Sequence, residues 1–194
     1  MDKIVLDKPI QDGSMSLEKA IAGRRSQRDF LRRPLMIEQI GQLVWAAQGQ
    51  TARNRYRTTP SAGATYPLEL FVVTADGLFH YLPAEHSLEK LTGQDLRAGL
   101  ASAAWGQEFI AGAPLALIFA AQFSRTTGRY GRRGVRYVYM EAGHAAQNVH
   151  LQAESLGLGS VAVGAFDDAA VSDCLSLPSH LEPIYMVVVG CCRE

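Results

Sequence analysis

The chain has 194 residues and a formal charge of zero, 19 Lys+Arg set against 19 Asp+Glu. That balance argues against nucleic acid or an anionic membrane as the partner of the surface as a whole, and no apolar run approaches the roughly 20 residues that span a bilayer. Residues 1–8 lack the basic-then-apolar layout of a secretory signal, so the expectation is a single cytoplasmic domain, 1–194, long enough to bury a core.

In chain order, Ser16 before Leu17-Glu18-Lys19-Ala20-Ile21-Ala22 predicts an N-capped helix ending near Gly23. After Pro34, the stripe Ile37, Ile40, Leu43, Val44 and Ala47 predicts a second helix that ends at Gly49. A basic, polar stretch, 51–59, leads to the small-residue run Pro60-Ser61-Ala62-Gly63-Ala64-Thr65-Tyr66-Pro67. Residues 68–73 and 78–82 read as strands joined by a turn at Asp76-Gly77. A helix is predicted over 96–104, and a strand buried on both faces over 114–121. A long helix follows over 135–156, then strands at 161–164 and 184–189, with Asp167 capping a short helix through Val171 and Leu175. Helices first, a hairpin next and strand–helix alternation last make this an α+β chain with a central mixed sheet surrounded by helices. In the long helix, Ala142, Gly143, Ala145 and Ala146 would let another backbone come close. We read that helix as a spine packed against a second copy of the chain, in preference to the chain's own body.

Five groups carry chemical interest. Arg24, Arg25, Ser26 and Arg28 offer guanidinium donors and a hydroxyl within five residues, suited either to a phosphate or to a solvated helix C-terminus. Residues 60–67 make either a tight loop or a low-bulk platform for a flat group, with Gly63 free to take a positive φ. Gly164 and Ala165 end a strand, where α/β proteins admit flat ligands, though a plain turn reads the same way. Arg193 could add a terminal charge. Arg125, Arg129, Arg132, Arg133 and Arg136 crowd like charges around Tyr130, which suits an anionic partner or a solvated segment. Against these stand three absences. Cys174, Cys191 and Cys192 form neither a disulfide framework nor a spaced metal set. His144 and His150, six apart, do not share a helix face. No Gly-x-Ser-x-Gly elbow, Walker loop or Gly-x-Gly-x-x-Gly run occurs.

Arg24-Arg25-Ser26-Gln27-Arg28-Asp29-Phe30, the run at 60–67, Glu141-Ala142-Gly143-His144-Ala145-Ala146-Gln147-Asn148 and Gly164-Ala165-Phe166-Asp167 resemble, in this order, motifs of the nitroreductase superfamily of flavin enzymes. Their wording is similar to the SagB-type subgroup, which includes azoline oxidases. The resemblance implies a homodimer of nitroreductase-like fold, with FMN at the subunit interface and the long helix in that interface. It implies that Arg24, Arg25, Ser26, Arg28 and Arg193 hold the FMN phosphate and ribityl chain. Pro60, Ser61, Ala62 and Gly63 of the other subunit would lie against the ring, and Gly164 and Ala165 near its N5 and pyrimidine edge. The activity implied is hydride transfer from NAD(P)H to an electron-poor small-molecule acceptor by a ping-pong cycle. The alternatives are an azoline-type dehydrogenase acting on a modified peptide, with Tyr130 as catalytic residue, and a non-catalytic FMN-binding subunit. Two positions depart from the family pattern. Arg129 stands where azoline oxidases carry a lysine, and a guanidinium is a poor base. Ala64 stands where nitroreductases usually carry an asparagine.

Overall fold

A computed structural model describes residues 2–51 and 56–192. The helices are α1 (Leu17–Gly23), α2 (Ile37–Gln48), α3 (Arg97–Ala103), α4 (Phe109–Gly112), α5 (Phe123–Tyr130), α6 (Arg133–Ser155) and α7 (Asp168–Leu175). The strands are β1 (Lys3–Val5), β2 (Leu68–Thr74), β3 (Gly77–Leu82), β4 (Ser87–Thr92), β5 (Leu115–Ala121), β6 (Gly159–Val163) and β7 (Glu182–Gly190). Ser16 accepts the Lys19 N–H at 3.3 Å to start α1, and Asp167 accepts the Ala170 N–H at 2.9 Å to start α7, as their places in the sequence foretold.

The seven strands form one sheet in the order β1-β4-β3-β2-β5-β7-β6. Every ladder between these strands is antiparallel, which corrects the mixed sheet expected from the alternation of strands and helices. β5 and β6 do run in the same direction, but β7 inserts between them, so the two never pair. Among the described residues the one parallel pairing is an isolated bridge between Ser26 and Ser160.

Two cores follow from the period of two along the strands. Leu68, Leu70, Val72, Leu115, Leu117, Phe119, Val187 and Val189 face α2 and α6. Phe71, Val73, Ala116, Ile118, Ala120, Met186 and Val188 face the other layer, built with α3 and α7. β5 lies at the centre with all seven residues fully buried, which is why its sequence is apolar throughout.

At 1.5 Å per residue, the 23 residues of α6 span about 35 Å under the first face. Val138, Ala142, Ala145, Ala146, Val149 and Ala153 are buried in the chain's own core beside Leu43, Val44 and Ala47 of α2. Within 142–146, Ala142, Ala145 and Ala146 therefore serve helix contacts inside the chain. Gly143 and His144 alone of that stretch turn outward. The outward side of α6 near its start instead carries Arg132, Val135, Arg136, Tyr139 and Met140, which line a shallow cleft of about 560 Å³.

The basic segment 125–136 is two helices rather than one crowded face. Gly131, at φ 56° and ψ −148°, ends α5 and re-aims the chain into α6. Its arginines then reach different partners. Arg125 pairs with Glu69 at 2.6 Å, Arg129 donates to the Gly63 carbonyl at 3.2 Å and Arg133 lies over the Tyr137 ring. Strands β1 and β4 and helix α4 are further elements that the sequence pattern did not mark. Among the described residues no helix is long and apolar enough to cross a membrane.

Candidate active site

The first group of candidate residues runs along the sheet edge. After α1 the chain turns at Arg24 and follows edge strand β6, with Ser26 bridging Ser160 and the Gln27 N–H donating to the Ser160 carbonyl at 3.0 Å. Arg25 donates to the carbonyls of Ala22 and Arg24 at 2.9 and 2.8 Å and so completes the helix end. Arg24 and Arg28 differ from it. Among the described residues neither guanidinium donates to a protein acceptor, and Arg28 lies over the Phe109 ring at 5.7 Å. Ser26 and Arg28 are exposed. Behind them, buried His150 sits 2.7 Å from the Ser160 hydroxyl. Burial, helped by the charge of Arg24, pushes its imidazole down to about 4, so it is neutral near pH 7.

Gly164 and Ala165 follow β6 and are exposed. A Cβ on Gly164 would approach only the Tyr185 ring, at 3.6 Å, leaving open space above the turn. The turn is tied to the α3–α4 connection. Gln107 Nε2 donates to the Ala165 carbonyl at 2.9 Å, and the Asp167 N–H to the Ala103 carbonyl at 2.9 Å.

The second group is the small-residue loop. Gly63, Ala64 and Tyr66 have φ of 61°, 53° and 46°. Three left-handed residues in four, two of them not glycine, store strain that the surroundings must hold. Hydrogen bonds within the loop and from α5 hold it. Thr65 Oγ1 donates to the Ala62 carbonyl at 3.0 Å and lies 2.8 Å from Thr126 Oγ1. The Tyr66 N–H donates to Ser61 Oγ at 2.9 Å, and Arg125 to the Tyr66 carbonyl at 2.9 Å. Gly63, at φ 61°, lies against α5: a Cβ there would stand 2.6 Å from the Tyr130 hydroxyl and 2.9 Å from Arg129 Nη1, and would displace these side-chain ends. Tyr130 is thereby brought onto the loop, edge-on to Tyr137. Below the loop lies Glu141 of α6, 3% exposed, with Oε1 lacking a partner. Burial raises its carboxyl to about 7, against the opposing pull of the Ser61 hydroxyl and the Arg57 charge. Arg57 donates to Gln48 Oε1 at 2.7 Å and lies over the Tyr66 ring.

The small-residue loop and the Gly164-Ala165 turn open at one end of the sheet, whereas Ser26 bridges Ser160, level with Val189 and Leu115 at the other end. Leu68 pairs with Ala121, Ala121 with Glu182, and Val163 with Met186, so the starts of β2 and β7 and the ends of β5 and β6 share the first of these ends. β5 and β7 stand between the loop on β2 and edge strand β6, and three strand spacings put about 14 Å of sheet between them.

The model of the Nitroreductase family matches residues 21–191. The chain belongs to the nitroreductase family. This nitroreductase-family chain is 43% identical over 182 residues to a Methanocaldococcus jannaschii protein named for the same family, covering 91% of each chain. It is 29% identical over 132 residues to the microcin B17-processing protein McbC of Escherichia coli, a match that spans 62% of this chain and 48% of McbC. Among solved structures it is similar to a nitroreductase-family protein of Ralstonia eutropha, with 30% identity, a TM-score of 0.90, and coverage of 99% of this chain and 90% of that one. The fold is nitroreductase-like, and the relation to McbC places the chain on the SagB-like side of the family.

Arg193 lies outside the described residues. Sequence reasoning missed Arg57, Gln107 and Phe109 as neighbours of the candidate groups, and it quoted Glu141 without giving it a role. A carboxylate inside an otherwise alanine-rich helix face was the available signal, because ionisable residues are rarely buried without a purpose.

Proposed function

We propose that this nitroreductase-family chain is an FMN-dependent oxidoreductase that takes hydride from NAD(P)H and delivers it to an electron-poor organic acceptor. One observation carries this reading. Among the described residues Arg24, Ser26 and Arg28 present unengaged side-chain donors and charge along the β6 edge, and a strained, low-bulk loop stands across the sheet from them, which suits one ligand whose phosphate lies on the arginines and whose flat ring lies on the loop of a second copy. In this reading Arg24, Ser26, Arg28 and Arg193 hold the phosphate and ribityl chain. Arg25 adds charge while its donors serve the helix end. The open side of Gly164 and Ala165 receives the ring's polar edge. The 14 Å of sheet between the groups supports a site completed by Pro60, Ser61, Ala62 and Gly63 of a second copy. FMN would supply the hydride chemistry when bound, and the chain the binding, orientation and exclusion of water. No acid–base triad is needed for that division of labour.

A second reading, an azoline-type dehydrogenase acting on a modified peptide, is favoured by Tyr130 lying on the loop and by the partial match to McbC. Arg129 is engaged at the Gly63 carbonyl and does not replace a basic lysine there.

The deciding experiment is the visible spectrum of the purified protein, with mass identification of whatever heat releases. Flavin absorbance with released FMN is expected, bleached anaerobically by NADH or NADPH. Bound FMN without bleaching, but with oxidation of an azoline peptide that Tyr130→Phe abolishes, selects the second reading. Bound FMN without turnover of any donor leaves a non-catalytic flavin subunit. A colourless protein that takes up no added FMN overturns all three.

A further inference from the structure

The sheet face opposite α2 and α6 carries a cleft that the proposed chemistry does not use. Its volume is about 570 Å³, and it lies between β2, β3 and β4 on one side and the turn after α7 on the other. Phe71, Leu78 and Leu91 line it from the sheet, and Leu175, Pro178 and Leu181 from the opposite wall. That is the size and the lining of a small-molecule site. The cleft is distinct from the candidate groups above, since none of the 24–28 segment, the 60–67 loop or the Gly164-Ala165 turn lines it.

Its polar groups select the ligand. No lysine or arginine lines the cleft, which disfavours a phosphate or carboxylate. Glu69 lines it, but Oε1 is 2.6 Å from Arg125 and Oε2 is 2.8 Å from His80 Nε2, so both oxygens are already engaged and a cation finds no open carboxylate. Arg125 also donates to the Tyr66 carbonyl at 2.9 Å, which fixes the guanidinium and, through it, Glu69. A carboxylate only accepts, so the proton of the neutral His80 ring sits on Nε2, and Nδ1 is left as an acceptor. Among the described residues no protein group donates to that Nδ1. The ring is held flat against Phe71, 5.0 Å between centroids and 22° between planes, so its orientation is set before any ligand arrives. A neutral, flat molecule fits this arrangement when its O–H donates to Nδ1 and its ring lies between the two apolar walls. We propose that the cleft is a second small-molecule site, which takes an uncharged aromatic alcohol with His80 as the acceptor of its hydroxyl.

Equilibrium dialysis of the purified protein against 2-naphthol, with and without saturating FMN, measures the affinity. The ether 2-methoxynaphthalene is the analogue that lacks the donor. One equivalent of 2-naphthol is expected per chain, bound several-fold more tightly than the ether and not displaced by FMN. A protein that binds no FMN should take up 2-naphthol equally well, since the site does not rest on the flavin reading. His80→Leu should erase the preference for the hydroxyl. Leu91→Trp, at a rim residue 45% exposed, should weaken both compounds several-fold by filling the cleft. In the wild type the nitrogen resonance of His80 Nδ1 should move when 2-naphthol binds. No binding, displacement by FMN, equal affinity for the alcohol and the ether, or a preference that survives His80→Leu overturns the proposal. Where His80→Leu does not fold, unchanged affinities in Leu91→Trp or an unmoved His80 resonance with 2-naphthol bound overturn it instead.

Discussion

Arg24 and Arg25 are chemically identical neighbours with different surroundings. Arg25 closes the end of α1 on two carbonyls, while Arg24 turns toward the edge of β6 with its donors unengaged. Replacing Arg24 by Ala should remove one charge-assisted contact and weaken FMN by about 1.5–3 kcal/mol, roughly 10- to 150-fold. Arg25→Ala should leave the FMN affinity within a few-fold and lower the melting temperature slightly. Equilibrium titration of both variants checks the contrast, and equal losses would place the two guanidiniums in one role. Residue type does not separate them; their places at the end of α1 do, since Arg25 reaches back to the last carbonyls of its own helix.

Among the elements, β5 and α5 show opposite degrees of legibility. β5 could be read directly, since only a strand covered on both faces is apolar for seven successive residues. Leu117, fully buried between β2 and β7, reports how much that coverage stabilises. Leu117→Ala should cost about 2–5 kcal/mol, visible as a lower denaturant midpoint at unchanged m-value. A loss below 1 kcal/mol would mean that the core collapses around the gap. α5 was hidden by composition. Its arginines crowd like charges in the sequence, but in the fold Arg125 reaches Glu69 and the Tyr66 carbonyl and Arg129 the Gly63 carbonyl. Short strands at the sheet edge, β1 and β4, were illegible for another reason. β1 is exposed at all three residues and β4 is half-buried without a clean alternation, and pairing with a neighbour decides them.

For the whole molecule, the open question of assembly now falls on a different surface. The alanines of α6 are occupied by α2 and the sheet, so a partner would meet the exposed side, where Val135, Tyr139 and Met140 are 37%, 53% and 49% exposed. Large apolar side chains grouped in this way are the kind of patch that partners cover. If a second copy covers it, light scattering should give twice the chain's 21.1 kDa. Met140→Asp should then give a monomer that also loses flavin, because neither chain holds both groups close together. A wild-type monomer that retains FMN would show that one chain suffices.

By itself the sequence determined helices α1, α2, α3, α6 and α7, the central strands, the α+β class, and the four motifs whose order marks the family. These depend on periodicity, caps and turn residues, which act over a few positions. Only the tertiary structure decided that the sheet is antiparallel throughout its ladders and that the alanines of α6 face inward. It also decided that Glu141 lies dry beneath the strained loop. Each of these turns on which surfaces meet across long separations in the chain, and that is fixed by the joint burial of both cores and not by any local preference.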